Sequence, residues 1–343
     1  MPEKEFFEHI LKLSPRSEPA GIDFPAKLAY YAIGDSSKPA VLLPTCFGGK
    51  LETTTPWLYE GLNGQPPVLP SSDYFVIVTG LLGGSESSSP SNQDAPYHGH
   101  KFPHMTYEDS IRLQKALCDH LGVKKLFAYI GFSMGGQQAY HMVTLFPTFV
   151  ERMVCLAGSA KTSAHNWSFL EGPKTALMSS VDFQDGAYPA SAPAKVGVRA
   201  FKRVYSTWAL CQQWFREKQW ETLGYKTLDD YLEDIWGGKE GSDANDLLAL
   251  TWTWQHGDIT VYDPEDKGDL EATLKKIRTR CLIMPSRTDM YFPPEDSEVE
   301  VKYMPEAKLS VIESIWGHLA GGGAGTQEDK AFISSEIKAF FES

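Results

Sequence analysis

Short runs in which every position is apolar recur along this chain, separated by longer stretches with apolar residues every three or four positions. Ala40-Val-Leu-Leu-Pro44, Tyr74-Phe-Val-Ile-Val-Thr79 and Leu126-Phe-Ala-Tyr-Ile130 are too short for helices and have no polar face, the mark of strands buried on both sides. Arg152-Met-Val-Cys-Leu-Ala157, Cys281-Leu-Ile-Met-Pro-Ser286 and Lys308-Leu-Ser-Val-Ile-Glu313 read as further strands. Lys27-Leu-Ala-Tyr-Tyr-Ala-Ile reads as another from its β-branched and aromatic content. The segment before Lys27 gives no assignment. Helical spacing predicts a helix over 107–121, where Ile111, Leu113, Ala116, Leu117 and Leu121 approximate one face. Thr106 is its expected N-cap, Glu108 and Asp109 are in its first turn, and Gly122 stands just past its end. A C-terminal helix over 328–341 presents Phe332, Ile333, Ile337, Phe340 and Phe341 as its packing face. Strands alternating with helices in this way predict an α/β fold with a mostly parallel sheet covered on both faces.

The rhythm breaks after Gly158. From there to about Thr279 helical patterns prevail and seven of the nine tryptophans occur: Trp167, Trp208, Trp214, Trp220, Trp236, Trp252 and Trp254. This predicts a helical cap over 159–278, inserted in a core formed by 1–158 and 279–343. Such a cap belongs at the carboxyl edge of the sheet, where open α/β sheets bind ligands. Most of its tryptophans are expected to form the cap's own core, with others lining an apolar pocket that excludes water.

A length of 343 residues fits one core domain with an insertion. The net charge of −12, without a basic stripe, argues against a surface that tracks nucleic-acid phosphates. No apolar run is long enough to span a bilayer. The N-terminus lacks a basic region followed by an apolar one, so the cytoplasm is the expected location. The five cysteines are odd in number and never form a Cys-x-x-Cys pair, which argues against a disulfide framework or a zinc site. Cys118, Cys155 and Cys281 lie in apolar segments and read as core. His98, His100 and His104 fit no standard ligand spacing, read as surface residues, and leave no metal site expected.

The chemistry concentrates after the strand at 126–130. Gly131-Phe-Ser133-Met-Gly135 has the form of a nucleophile elbow, in which small residues let the chain turn sharply and hold a serine at the tip. A serine hydroxyl needs a base at neutral pH, and the base needs an orienting group. Asp289 and His318 follow in the order Ser, Asp, His, each in a loop directly after a predicted strand. Asp258, Asp296 and His256 are competitors, but none follows such a strand. Met134, at the start of the helix after the elbow, offers one backbone N–H to a developing oxyanion. Phe47, in the glycine-rich loop Thr45-Cys-Phe47-Gly48-Gly49 after an early strand, offers the second. The polar stretch from Gly80 to Pro90 is too long to be a mere connector.

Several separate motifs together resemble the homoserine O-acetyltransferase family of α/β-hydrolases. They are Gly131-Phe-Ser-Met-Gly-Gly-Gln-Gln-Ala, Tyr74-Phe-Val-Ile with Leu82-Gly-Gly, and Arg112-Leu-Gln-Lys-Ala-Leu-Cys-Asp-His-Leu-Gly. Phe169-x-Glu171, Asp243-Ala-Asn245, Asp289-x-x-Phe292-Pro-Pro and Gly317-His318 agree with it. The resemblance runs from about residue 25 to the end. It implies the α/β-hydrolase fold with an inserted cap, and an acyl-enzyme on Ser133 whose oxyanion is held by the Met134 and Phe47 amides.

Three departures stand at the acceptor side. Leu319 follows the histidine where the family carries an aspartate, Lys174 aligns with a lid arginine that holds a substrate carboxylate, and Thr45-Cys46-Phe replaces a His-Ala-Leu loop. Lys174, Cys46 and Leu319 are therefore the substrate-binding candidates. Lysine does not replace arginine in bidentate carboxylate recognition, so homoserine is not the expected acceptor. The sequence predicts an ester or thioester hydrolase. Its alternatives are an O-acyltransferase acting on another alcohol and a non-catalytic receptor for a small molecule. No cofactor is expected; acyl-coenzyme A as a co-substrate and a homodimer stay open.

Overall fold

A computed structural model of the chain describes residues 2–84, 86–238 and 242–343. Eight strands form one sheet: β1 (Glu5–Lys12), β2 (Asp23–Ile33), β3 (Ala40–Pro44), β4 (Phe75–Thr79), β5 (Leu126–Phe132), β6 (Val150–Leu156), β7 (Arg280–Met284) and β8 (Ala307–Leu309). Their order in space is β1-β2-β4-β3-β5-β6-β7-β8. The two pairings made by β2 are antiparallel and the remaining five are parallel. Because side chains alternate along a strand, the all-apolar runs feed two cores at once. Val41, Leu43, Val76, Val78, Ile130 and Val154 face one side, while Leu42, Ile77, Tyr129, Met153, Cys155 and Ile283 face the other.

Eleven α-helices lie among the described residues. α1 (Trp57–Glu60) follows β3, α2 (Tyr107–His120) follows β4, and α3 (Met134–Leu145) follows β5. Six lie between β6 and β7: α4 (Ala164–Met178), α5 (Lys195–Ala209), α6 (Gln212–Arg216), α7 (Leu228–Trp236), α8 (Ala244–Gln255) and α9 (Leu270–Leu274). α10 (Pro294–Tyr303) precedes β8, and α11 (Gln327–Glu342) closes the chain. Ile333, Ile337 and Phe340 of α11 pack on one face of the sheet, as their spacing predicts. Ile111, Leu113 and Leu117 of α2 pack on the other. None of these helices is long and apolar enough to cross a membrane.

Three features differ from the sequence reading or extend it. The unassigned N-terminal segment is β1, paired with β2 over its whole length. Only Leu11 of β1 is buried, so this edge strand lacks the apolar run that marks the others. The last strand is shorter than 308–313: pairing with β7 stops at Leu309, and Ile312 makes only a single bridge to Ser286. The helical region also returns to the sheet earlier than residue 278, since Ile259, Leu274 and Ile277 join the sheet's own core.

The polar stretch after β4 is anchored. Ser87 Oγ accepts the Ala29 N–H at 3.1 Å and Ser88 Oγ accepts the Lys27 N–H at 2.8 Å, so side chains serve the edge of β2 beyond the last β4 pair. Asp246 of α8 then accepts the Ser91 N–H at 2.9 Å and the Ser91 hydroxyl at 2.7 Å, which ties this loop to the inserted helices. Burial pushes the Asp246 carboxyl up to about 6. α2 is fixed in the same way. Its N-cap Thr106 donates its N–H to Asp109 at 2.8 Å, and the other oxygen of Asp109 accepts the Ser14 N–H at 2.6 Å.

Candidate active site

β5 ends at Phe132 and α3 begins at Met134, leaving one residue for the turn. Ser133 makes it with φ 59° and ψ −126°, a conformation that a side chain adopts only when its surroundings impose it. Gly131 is the condition for the turn. A Cβ there would lie 1.9 Å from the Gly135 carbonyl oxygen, so no other residue fits. Two backbone bonds brace the strained residue: its N–H donates to the Leu156 carbonyl at 2.8 Å, and its carbonyl accepts the Gln137 N–H at 3.1 Å.

The loops after β7 and β8 bring the other two groups to the serine. His318 Nε2 lies 2.8 Å from Ser133 Oγ, and His318 Nδ1 lies 2.7 Å from Asp289 Oδ2. The other oxygen of Asp289 accepts the N–H groups of Tyr291 at 2.7 Å and Phe292 at 3.0 Å, which fixes the carboxylate plane. All three side chains are buried, with Ser133 2%, His318 3% and Asp289 5% exposed. The imidazole is held between Phe132 and Tyr291, each with its ring centroid 4.8 Å away. Thr288 joins the two loops: its hydroxyl donates to the Ser314 carbonyl at 2.8 Å and accepts the Gly317 N–H at 3.1 Å.

The inserted helices hold this arrangement from above. Tyr291 donates its hydroxyl proton to the Tyr205 carbonyl of α5 at 2.6 Å, and Asn166 of α4 donates to the Tyr291 carbonyl at 2.5 Å. Trp254 of α8, fully buried, stacks on Phe292 with centroids 5.3 Å apart. Trp214 is also fully buried and Trp220 nearly so, while Trp236 lines the cavity above the serine.

That cavity, about 280 Å³, is lined by Ser133 and His318 below, by Cys46, Phe47 and Leu319 at the sides, and by residues of α5 and α7 above. Phe47, Cys46 and Leu319 are thus where the sequence placed them. Lys174 is not. It lies on α4 with its ammonium 2.8 Å from Glu171 Oε1, an oxygen that also accepts Gln255 Nε2 at 2.7 Å, and it does not line the cavity. A helical position read from alignment alone does not say which way that face turns. The three competitors are also placed elsewhere: Asp258 pairs with Lys161 at 2.7 Å, His256 stacks on Trp252, and Asp296 sits in the first turn of α10. Phe201, Lys202 and Tyr205 of α5 line the cavity and were not singled out by the sequence, because only the packing of α5 selects that face.

Burial pushes the Cys46 thiol up to about 11, which keeps it protonated at neutral pH. Among the described residues no group of three or more His, Cys, Asp or Glu side chains is placed to hold a metal ion.

A sequence profile described as the alpha/beta hydrolase fold matches residues 39–321. The chain belongs to the α/β-hydrolase family. It is 31% identical over 308 residues to a probable esterase of Corynebacterium glutamicum, covering 88% of this chain and 86% of that one. It is 27% identical over 335 residues to a homoserine O-acetyltransferase of Chloroherpeton thalassium, covering 92% and 86%. The crystal structure of an acetylester hydrolase from Corynebacterium glutamicum matches with a TM-score of 0.89 at 29% identity, covering 99% of this chain and 96% of that one. The resemblance read from the sequence is borne out. This member of the α/β-hydrolase family is an enzyme with relatives of two kinds, esterases and acetyltransferases, on one scaffold.

Proposed function

We propose that this enzyme hydrolyses short-chain carboxylic esters, acetate esters first among them, through an acyl-enzyme on Ser133. The observation that carries the reading is the unbroken hydrogen-bonded line from Asp289 through His318 to Ser133 at the floor of a small cavity. In this reading Ser133 Oγ attacks the ester carbonyl carbon while its proton passes to His318 Nε2. Asp289 holds the Nδ1 proton and stabilises the imidazolium. The carbonyl oxygen becomes an oxyanion that accepts the N–H groups of Met134 and Phe47, neither of which donates to a protein acceptor among the described residues. When the tetrahedral species collapses, the alcohol leaves with the proton from His318. Water then gives a proton to His318, attacks the acyl carbon, and releases the carboxylic acid.

Hydrolysis is favoured over transfer to an amino-acid alcohol by the acceptor side. Leu319, where the related acetyltransferases carry an aspartate, offers no charge to the ammonium group of an amino-acid acceptor. The names of the esterase relatives support the same choice. The reading is tested by hydrolysis of 4-nitrophenyl acetate by wild type and Ser133→Ala. Replacing the serine is expected to lower kcat by about 10⁴-fold or more while leaving the fold intact. Equal rates would exclude Ser133 as the nucleophile.

A further inference from the structure

A second cavity, about 450 Å³, lies beside the catalytic one of about 280 Å³. Cys46 and Phe132 are the two described residues that line both, so they form the partition between them. Phe132 is the larger part of it. As the last residue of β5 it comes directly before Ser133, and its ring lies against the His318 imidazole with centroids 4.8 Å apart. The loop after His318 fits around the same ring. A Cβ on Gly322 would stand 2.6 Å from a ring carbon of Phe132 and one on Gly321 would stand 3.1 Å away, so bare backbone closes on the phenyl group and fixes its place. Behind the partition the second cavity is walled by Thr53, Thr54, Pro56, Gly323 and Ala324. Among the described residues that line it only Glu52 carries a formal charge, and that side chain is exposed. Such a lining suits an uncharged alkyl or aryl group and gives an anion no partner.

The partition stands on the leaving-group side of the serine. His318 is the group that hands a proton to the departing alcohol, and Phe132 packs directly on His318. We propose that Phe132 is a specificity-determining residue for the alcohol half of the ester: its ring ends the space open to the leaving group, and the uncharged cavity behind it is an alcohol subsite that the ring keeps shut. The proposal rests on the acyl-enzyme reading and names the part of the substrate that the same site measures. An alcohol chain that outgrows the catalytic cavity meets the phenyl ring. With the ring removed, the chain continues into the second cavity and buries its methylene groups there.

The test uses ethyl acetate and two isomeric esters, hexyl acetate and ethyl hexanoate, which place the same added carbons on the alcohol side or the acyl side. Each is followed by acid release with wild type and Phe132→Ala. The variant is expected to raise the kcat/KM ratio of hexyl acetate to ethyl acetate on the order of 10-fold, with the ratio of ethyl hexanoate to ethyl acetate unchanged. Adding Ala324→Phe, which refills the second cavity, is expected to bring the first ratio back towards wild type. A rise confined to ethyl hexanoate would overturn the assignment to the alcohol. Unchanged ratios would overturn the proposal and leave Phe132 as packing for the imidazole. Since loss of that packing also slows the chemistry, binding is measured separately on Ser133→Ala, by tryptophan fluorescence with the unreactive amide N-hexylacetamide. Tighter binding after Phe132→Ala is added supports the proposal even where turnover is too slow to follow, and equal or weaker binding contradicts it. Failure of the acyl-enzyme reading would show instead as Ser133-independent turnover of all three esters.

Discussion

Replacing Asp289 by asparagine removes one charge and almost no volume, and the structure dictates what the new amide must do. One carboxylate oxygen accepts two backbone N–H groups, from Tyr291 and Phe292, and the other faces His318 Nδ1. If the amide turned its NH2 towards the backbone, two buried donors would lose their acceptor, at about 1–3 kcal/mol each. The amide oxygen therefore keeps the backbone pair and the NH2 group faces Nδ1. Nδ1 must then accept, and the imidazole proton moves to Nε2, where it points at Ser133 Oγ 2.8 Å away. In that tautomer His318 has no lone pair for the serine proton. We expect kcat for 4-nitrophenyl acetate to fall about 10⁴-fold, equivalent to roughly 5.5 kcal/mol of transition-state stabilisation. The melting temperature should stay within about 4 °C, because both backbone donors keep their acceptor. A loss of less than about tenfold would refute the assignment of Asp289 as the orienting group.

Three further outcomes are expected. Gly131→Ala places a Cβ 1.9 Å from the Gly135 carbonyl oxygen, so the elbow must open; activity should vanish and thermal melting should show a loss of about 3 kcal/mol or more, whereas a stable, active variant would contradict the turn described. Two buried groups shift the pH dependence of stability in opposite directions, which thermal melting across pH reads. Burial raises Glu300 from its ordinary 4.5 to about 8, so the folded state holds a proton that the unfolded chain releases, and stability is lost as pH rises from 4.5 through about 8. Burial lowers His141 from 6.5 to about 3, so the unfolded chain takes up the proton first, and stability is lost as pH falls below 6.5. Glu300→Gln should flatten the alkaline limb alone. Cys46, kept protonated by burial, should resist alkylation by iodoacetamide at neutral pH; rapid stoichiometric inactivation would show a thiolate in the cavity.

The elements that carry the triad were legible because their signals are local. Val41 to Leu43 and Val76 to Val78 are buried on both faces, so each strand announces itself as an apolar run with no partner needed. Gly131, Ser133 and Gly135 encode one turn within five residues, and Asp289 follows a strand of the same kind, β7, whereas His318 follows the short, half-buried β8. What stayed hidden depends on distant packing. β1 exposes Phe6 and Ile10 and is a strand only because β2 offers it an open edge. Arg199, Lys202 and Arg203 look alike in sequence, and only the position of α7, with Glu233 facing the two arginines, separates the lysine that lines the cavity from its neighbours. Lys174 was misplaced for the same reason, since Glu171 one turn before it and Gln255 on another helix settle its direction.

The central claim, an acyl group carried by Ser133 and released to water, is tested most directly by the intact mass of the protein in a rapid-quench series with 4-nitrophenyl acetate. The account predicts a gain of one acetyl group in wild type that reaches a steady level during turnover and decays once the ester is consumed. It predicts no such gain in Ser133→Ala. An acetyl adduct that persists in water and is discharged only by an added alcohol would contradict hydrolysis, and an adduct that survives in Ser133→Ala would contradict the site.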